Sequence, residues 1–168
     1  NAAGTAAAGN GVKGIAVTNS SGDLIGGTTA AERNVVSGNA EQGIYFNNGD
    51  NSTISGNYIG TNVAGTGDVT PDAANSAQSG VFLANGSSGN VVGGTSAGAR
   101  NVVSGNNHYG VEILTSGSQN NLVEGNYIGT DVTGLVALGN TNGGMSFWGA
   151  GSGNMLGGGG LVMALGRR

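Results

Sequence analysis

The segment HYGVE at positions 108–112 places an imidazole, a phenol and a carboxylate within five residues. Polysaccharide lyases and epimerases remove the proton next to a uronate carboxylate, and this chemistry needs a base of that kind. At the corresponding place in an earlier, similar stretch the chain reads EQGIY (41–45), so His108 and Tyr109 are not dictated by repetition. We therefore predict a catalytic group of His108, Tyr109 and Glu112, with Glu112 on the outward face of a strand. The alternative is a solvated loop histidine beside a surface tyrosine.

Two arginines could supply the positive charge that stabilises an enolate in such a reaction. Arg33 and Arg100 open two identical copies of RNVVSGN, at 33–39 and 100–106. If the repeated segments stack as successive coils of a solenoid, the two arginines lie two coils apart. That is roughly 10 Å at the spacing of neighbouring strands, so they could flank an anionic sugar. Arg100 therefore joins the candidate catalytic group. The alternative is that each arginine simply precedes a strand and binds a nearby carboxylate or carbonyl.

A third enzymatic hypothesis comes from GTSAG (94–98), which matches the G-x-S-x-G motif of serine esterases. An esterase built on it would use Ser96, His108 and Asp131. The motif, however, requires a hydrophobic strand before it and a helix after it, inside a larger α/β domain. The matching stretch of the first copy reads GTTAA (27–31), which has no serine. This is therefore the remotest hypothesis.

The composition argues against several other functions. The 168 residues include 37 glycines and no cysteine, and only 8% are charged, with a net charge of −4. Without cysteine there are neither disulfides nor thiolate metal sites, and we predict no cofactor and no metal site. The five lysines and arginines form no basic patch, which argues against nucleic acid as a partner. The chain has no apolar window of about 18 residues, so we predict no membrane insertion.

The elements that must position these residues follow from a long internal repeat. IGGTTAAERNVVSGN (25–39) matches VGGTSAGARNVVSGN (92–106), and ISGNYIGTNVAGTG (54–67) matches VEGNYIGTDVTGLV (123–136). Repetition at this length is typical of a solenoid, in which each unit packs on its neighbours.

Each repeat divides into smaller units that open with glycine and alternating apolar residues, as expected of a strand with one buried face. The five units begin near Gly14, Gly43, Gly80, Gly110 and Gly144. A second apolar segment follows in every unit and a third in four of them. We therefore predict an all-β fold, a single right-handed parallel β-helix over residues 1–168 with about five coils and three short strands per coil. Residues 159–168 depart from the repeat and form either a cap or a non-repeat tail.

Stacked coils must align like residues in columns. The predicted inward columns are Ile15, Ile44, Val81, Val111 and Met145; Val17, Phe46, Leu83, Ile113 and Phe147; Ile25, Ile54, Val92, Val123 and Leu156; and Val36, Ile59, Val103 and Ile128.

Polar residues at the corners form columns as well. One column of asparagines opens the third strand of successive coils, namely Asn34, Asn57, Asn101 and Asn126. We expect their amides to bond from coil to coil in a ladder; the alternative is that asparagine is a turn residue that tolerates left-handed backbone. Positive φ is expected at the corner glycines Gly27, Gly56, Gly94, Gly125 and Gly158.

The segments GVEI…NLVEGNYIGTDVTGLVALGN and VVGGTSAGARNVVSGN resemble the right-handed parallel β-helix repeats of large bacterial extracellular proteins. In fold these resemble the pectin lyase-like superfamily, and the resemblance covers roughly residues 9–158. It implies secretion or display at the cell surface, with polysaccharide or surface contact as the commonest theme. We expect the chain to start in mid-array and to be a fragment of a longer protein whose open coil ends could self-associate.

Two functions of different kinds remain open. The first is a structural or adhesive β-helix segment of a secreted bacterial surface protein that contacts polysaccharide or cell-surface glycan. Trp148 could stack on a sugar ring in such a contact, unless it caps the core at a coil corner. The second is a carbohydrate-active enzyme, a lyase, epimerase or glycoside hydrolase, that uses the residues around His108. The first is better supported, because repetition explains every candidate residue except that small group.

Overall fold

The regular secondary structure of the described chain is almost entirely short parallel strands arranged in three sheets. The computed structural model describes residues 9–69 and 78–157 and the backbone of 163–164. The first sheet contains β1 (Ile15–Thr18), β4 (Ile44–Asn47), β7 (Val81–Ala84), β10 (Tyr109–Leu114) and β13 (Gly143–Trp148). The second contains β2 (Leu24–Gly26), β5 (Thr53–Ser55), β8 (Val91–Gly93), β11 (Leu122–Glu124) and β14 (Met155–Leu156). The third contains β3 (Val35–Val36), β6 (Tyr58–Ile59), β9 (Val102–Val103), β12 (Tyr127–Ile128) and β15 (Met163–Ala164).

The order of the strands makes this a parallel β-helix of about five coils, as predicted. Consecutive strands of the chain belong to different sheets, and every third strand pairs with the one a coil away. The coil itself therefore connects one parallel strand to the next, and no crossover helix is needed. The helical elements of the described chain are two single 3-10 turns, Ala30–Glu32 and Ala97–Ala99, which precede β3 and β9.

The strand register confirms all four predicted columns. Ile44, for example, pairs with Ile15 on one side and Val81 on the other, and Ile54 pairs with Ile25 and Val92. The inward residues of the middle coils are fully buried and fill the interior, so it is a packed core and not a pore. Alternation along each strand has fixed which side chains enter this core.

The fifth coil differs from the prediction in one respect. The sequence predicted a third strand in only four coils, but Met163–Ala164 pair with Tyr127–Ile128 and so occupy the third sheet in the fifth coil. Part of the segment that departs from the repeat thus continues the stack. The rest of the predicted cap or tail lies outside the described residues.

The predicted asparagine ladder is present. Asn57 Oδ1 accepts hydrogen bonds from the backbone N–H and side-chain amide of Asn34, at 3.1 and 3.0 Å. The same pair of bonds joins Asn57 to Asn101 (2.9 and 3.2 Å) and Asn101 to Asn126 (3.1 and 2.9 Å). In addition, Asn101 Nδ2 donates to the Ile54 carbonyl at 2.8 Å. The last three asparagines are completely buried, and these bonds satisfy their amides without water.

Two further corners carry asparagine contacts that were not predicted. Asn90, Asn121 and Asn154 form a second ladder at the start of the second sheet, with amide–amide distances of 3.0 Å. At the start of the first sheet, Asn10 bonds to Asn39 and Asn106 to Asn140. The signal was visible, because asparagine precedes the second segment in NVVGG, NLVEG and NMLGG. Stacked amides therefore occur at all three corners, although not in every coil.

The corner glycines follow two patterns rather than one. Gly56 and Gly125 have φ of 70° and 68°, as expected, and Gly94 is also positive, at 151°. Gly27 is not in this region, and Gly26 takes the left-handed conformation in that coil, with φ of 88°. Gly27 is instead required for space, since a Cβ there would lie 2.4 Å from a Glu32 carboxylate oxygen. Gly158 lies outside the described residues.

We predict that Asn101→Ala lowers the free energy of unfolding by about 2–4 kcal/mol, because it leaves several buried donors and acceptors without partners. Chemical denaturation followed by circular dichroism measures the change. The matched control is Asn142→Ala, at an exposed position, which should change the free energy of unfolding by less than about 0.5 kcal/mol. Equal effects of the two substitutions would contradict a stabilising role for the ladder.

Candidate functional site

The group around His108 is positioned by β10 and the turn before it. Val111 and Ile113 of β10 point into the core, so Glu112 between them leaves the outer face, where it aligns with Phe82 and Ser146 of the adjacent coils. An outward glutamate is normally solvated, yet Glu112 is only 6% exposed. Its carboxylate is covered by neighbouring side chains.

Two side chains contact this carboxylate. The Ser79 hydroxyl donates to Glu112 Oε2 at 2.6 Å, and His108 Nδ1 lies 3.2 Å from the same oxygen and 3.0 Å from Ser79 Oγ. Ser79 belongs to the turn before β7, so the group joins two adjacent coils. The Tyr109 ring meets the imidazole edge-on, with ring centroids 4.6 Å apart and planes at 73°. The structure thus brings together three of the four predicted catalytic residues and adds Ser79.

Ser79 could not be predicted from the sequence. The residues that precede the opening glycine of each coil are Lys13, Gln42, Ser79, Tyr109 and Gly143. Five different residue types occupy this place, so the repeat carried no signal there. Only the stacking of the coils brings Ser79 against Glu112.

The arrangement is not a Ser-His-acid triad. In a triad the acid binds Nδ1 of the histidine and the serine faces Nε2, whereas here both Glu112 and Ser79 face Nδ1. Ser79 is also only 1% exposed, and its hydroxyl donates to the carboxylate rather than to the imidazole. It is therefore a structural partner of Glu112. The hydrogen bonds of His108 involve Nδ1, which leaves Nε2 as the nitrogen available to exchange a proton with solvent or a ligand.

Arg100 belongs to a different part of the coil. Its Nε donates to the Gly125 carbonyl at 3.0 Å, and its guanidinium lies 4.1 Å from the centroid of the Tyr127 ring. These contacts lie at the corner before the third sheet, whereas His108 lies at the start of the first. Arg33 makes the same two contacts with Gly56 and Tyr58, at the same distances. The structural alternative, an arginine bound to a nearby carbonyl, therefore describes both residues.

The three residues of the esterase hypothesis do not form one group. Ser96 and Asp131 are each bound within their own turn, whereas His108 bonds Ser79 and Glu112. Ser96 is the N-cap of the 3-10 turn at Ala97–Ala99, where its hydroxyl accepts from the Ala99 N–H at 3.2 Å. Asp131 accepts from the Thr133 hydroxyl at 2.7 Å, and this bond lowers the pKa of its carboxyl. Within the described chain, no hydrogen bond joins Ser96, His108 and Asp131. The turn that follows Ser96 is also too short to be the helix that the motif requires.

The outer face of the first sheet carries aromatic rings that pack on other side chains and one that is exposed. Tyr45 and Phe82 stack on each other with centroids 5.7 Å apart and planes at 26°. Lys13 lies 4.9 Å from the Tyr45 centroid and pairs with Glu41 at 2.6 Å. These two rings thus pack against other side chains of the protein. Trp148 at the end of β13 is different, because 71% of it is exposed.

Other kinds of site find little support in the described residues. No cluster of three or more His, Cys, Asp or Glu within 9–69 and 78–157 could hold a metal ion. A cavity of about 480 Å³ is lined by residues of the first coil, including Ile15, Asn34 and Val36, and it lies away from the group around His108. No helix in the described part of the chain is long and apolar enough to cross a membrane.

Comparison with models of protein families, with curated proteins and with solved structures finds no match to this chain. Membership of the pectin lyase-like superfamily therefore stays a prediction that rests on the repeat sequence.

We predict that Ser79→Ala lowers the free energy of unfolding by about 1–3 kcal/mol, because a buried carboxylate loses a hydrogen-bond donor. Ser116→Ala, at an exposed position, is the control and should be close to neutral. Thermal denaturation of both variants at neutral pH gives the comparison. If Ser79→Ala is as stable as the control, the bond to Glu112 does not help to join the two coils.

Proposed function

We propose that the chain is a structural and adhesive segment of a secreted or surface-displayed protein. The observation that supports this most is the use of polar side chains as contacts between coils. The ladder asparagines, both arginines and the pair Ser79–Glu112 all bind the neighbouring coil. Such contacts hold successive coils in fixed register, which suits a protein that spans a distance or presents a surface.

The adhesive part of the proposal rests on Trp148. Trp148 follows Phe147, which is in register with the buried Ile113, and it therefore leaves the outer face of the first sheet, in register with Leu114 of the coil before. Its 71% exposure leaves the indole available to a ligand. An exposed aromatic face can pack on the apolar face of a sugar ring, and its N–H can donate a hydrogen bond. The proposed partner is accordingly a polysaccharide or cell-surface glycan.

A carbohydrate-active enzyme is the second candidate, and one observation favours it. His108, Tyr109 and Glu112 do meet, and Nε2 of His108 could act as a general base. Against this, Glu112 is buried and already bound to Ser79, and Arg100 is engaged at another corner. The group around His108 therefore offers one base, His108. It has neither the second carboxylate of a glycoside hydrolase nor the cation that would stabilise the enolate in a lyase.

The adhesive proposal predicts that Trp148→Ala weakens glycan binding about tenfold, since loss of an exposed aromatic contact costs roughly 1–1.5 kcal/mol. Affinity electrophoresis against a panel of neutral and acidic polysaccharides is a suitable measurement. The control is Leu135→Ala, because Leu135 is also apolar and is 88% exposed but lies on a loop after the third sheet. Equal loss in both variants, or none in either, would remove Trp148 from the contact.

The two candidate functions are separated by an activity assay. We expect no release of unsaturated or reducing sugar ends from the same polysaccharide panel, and no cleavage of model esters. If activity is found, it should be compared in His108→Ala and Glu112→Gln, with circular dichroism to show that the fold survives. Activity that disappears in both folded variants would replace the structural proposal with the enzymatic one.

A further inference from the structure

Arginine and tyrosine alternate along the outer face of the third sheet. The register of this sheet aligns Val35, Tyr58, Val102 and Tyr127 in one outward column. Arg33 precedes the strand that contains Val35, and its guanidinium covers Tyr58 of the next coil; Arg100 covers Tyr127 in the same way. The two guanidinium groups are therefore equivalent and stand two coils apart, or about 10 Å.

Each guanidinium is held in place but not neutralised. Its Nε is fixed by a backbone carbonyl, that of Gly56 or Gly125, at 3.0 Å. The ion pairs among the described residues are Lys13–Glu41 and His108–Glu112, and neither includes an arginine. The N–H groups on the two Nη atoms of each arginine are thus left for another acceptor, and both side chains are only partly buried.

We propose that Arg33 and Arg100 bind a linear polysaccharide that carries oxyanion groups, carboxylate or sulfate, at intervals of about 10 Å. The planar guanidinium suits a two-oxygen contact with either anion. Stacking on tyrosine and the bond at Nε immobilise the side chains before binding, so little rotamer freedom is lost when the ligand arrives. The arginines are related by the repeat, and their spacing therefore matches a polymer rather than a single small anion.

This proposal rests on the proposed adhesive function, since it gives the charge class of the glycan, but it uses a surface separate from Trp148. The test measures binding of dextran sulfate, polygalacturonate and neutral dextran by isothermal titration calorimetry at low salt. Arg33→Gln and Arg100→Gln should each weaken binding of one of the acidic polymers about fivefold, and the double variant about 25-fold. Added salt should weaken binding further, because exposed charges are screened.

Lys13→Gln is the matched control, because it removes a cation of the first sheet and should leave the affinity unchanged. The double variant Arg33→Lys with Arg100→Lys keeps both positive charges but loses the planar guanidinium groups. Its affinity should lie between those of the wild type and the double Gln variant. Circular dichroism verifies that each variant is folded. Full affinity for both acidic polymers in a folded double Gln variant would overturn the proposal, as would failure of the wild type to bind either. If the wild type then still bound neutral dextran through Trp148, the adhesive function would stand and only this inference would fall.

Discussion

Every coil of this protein must lie about 4.8 Å from the next, because that is the distance across which parallel strands exchange backbone hydrogen bonds. The strands are only two to six residues long, so much of each coil lies in corners where no ladder of strand bonds exists. An asparagine side chain solves this problem at a corner. Its oxygen accepts from the backbone and side chain of the preceding coil, while its nitrogen donates to a carbonyl of that coil and to the amide oxygen of the next. Stacked amides thus continue the hydrogen bonding of the sheets around the bend.

The same constraint decides which polar residues are free to act on a ligand. A side chain that recurs at the same place in successive coils meets its own copy or a backbone carbonyl, and is then part of the stack. Arg33 and Arg100 are only partly engaged in this way. The Nε of each binds a carbonyl of the neighbouring coil, and its two Nη atoms do not. Residues outside the repeat, such as His108 and Trp148, are the ones whose presence the stack does not explain. Function in a solenoid of this kind is therefore sought where the repetition is broken or only partly used.

The sequence predicted the fold well because the two relevant periods are simple. Alternation along a strand indicates the inward residues, and the repeat aligns them, so the columns from Ile15 to Met145 could be read without any structure. Prediction failed where a contact depends on residues that do not repeat. Ser79 approaches Glu112 only because of coil stacking, and the expected positive φ at Gly27 occurs at Gly26 instead. The candidate site was accordingly predicted in part, with Arg100 assigned to it although it lies at another corner.

The start of the second ladder shows what the stack requires of a side chain. Asp23 occupies the place that Asn90, Asn121 and Asn154 take in later coils, and Ser52 stands between them. A carboxylate matches the shape of the amide but has no N–H, and Asp23 Oδ2 is accordingly buried with no hydrogen-bond partner among the described residues. In the later coils the amide nitrogen donates to a corner carbonyl of the preceding coil. Aspartate therefore fits this column by its shape. Asparagine recurs there because its amide nitrogen also donates to a carbonyl of the neighbouring coil.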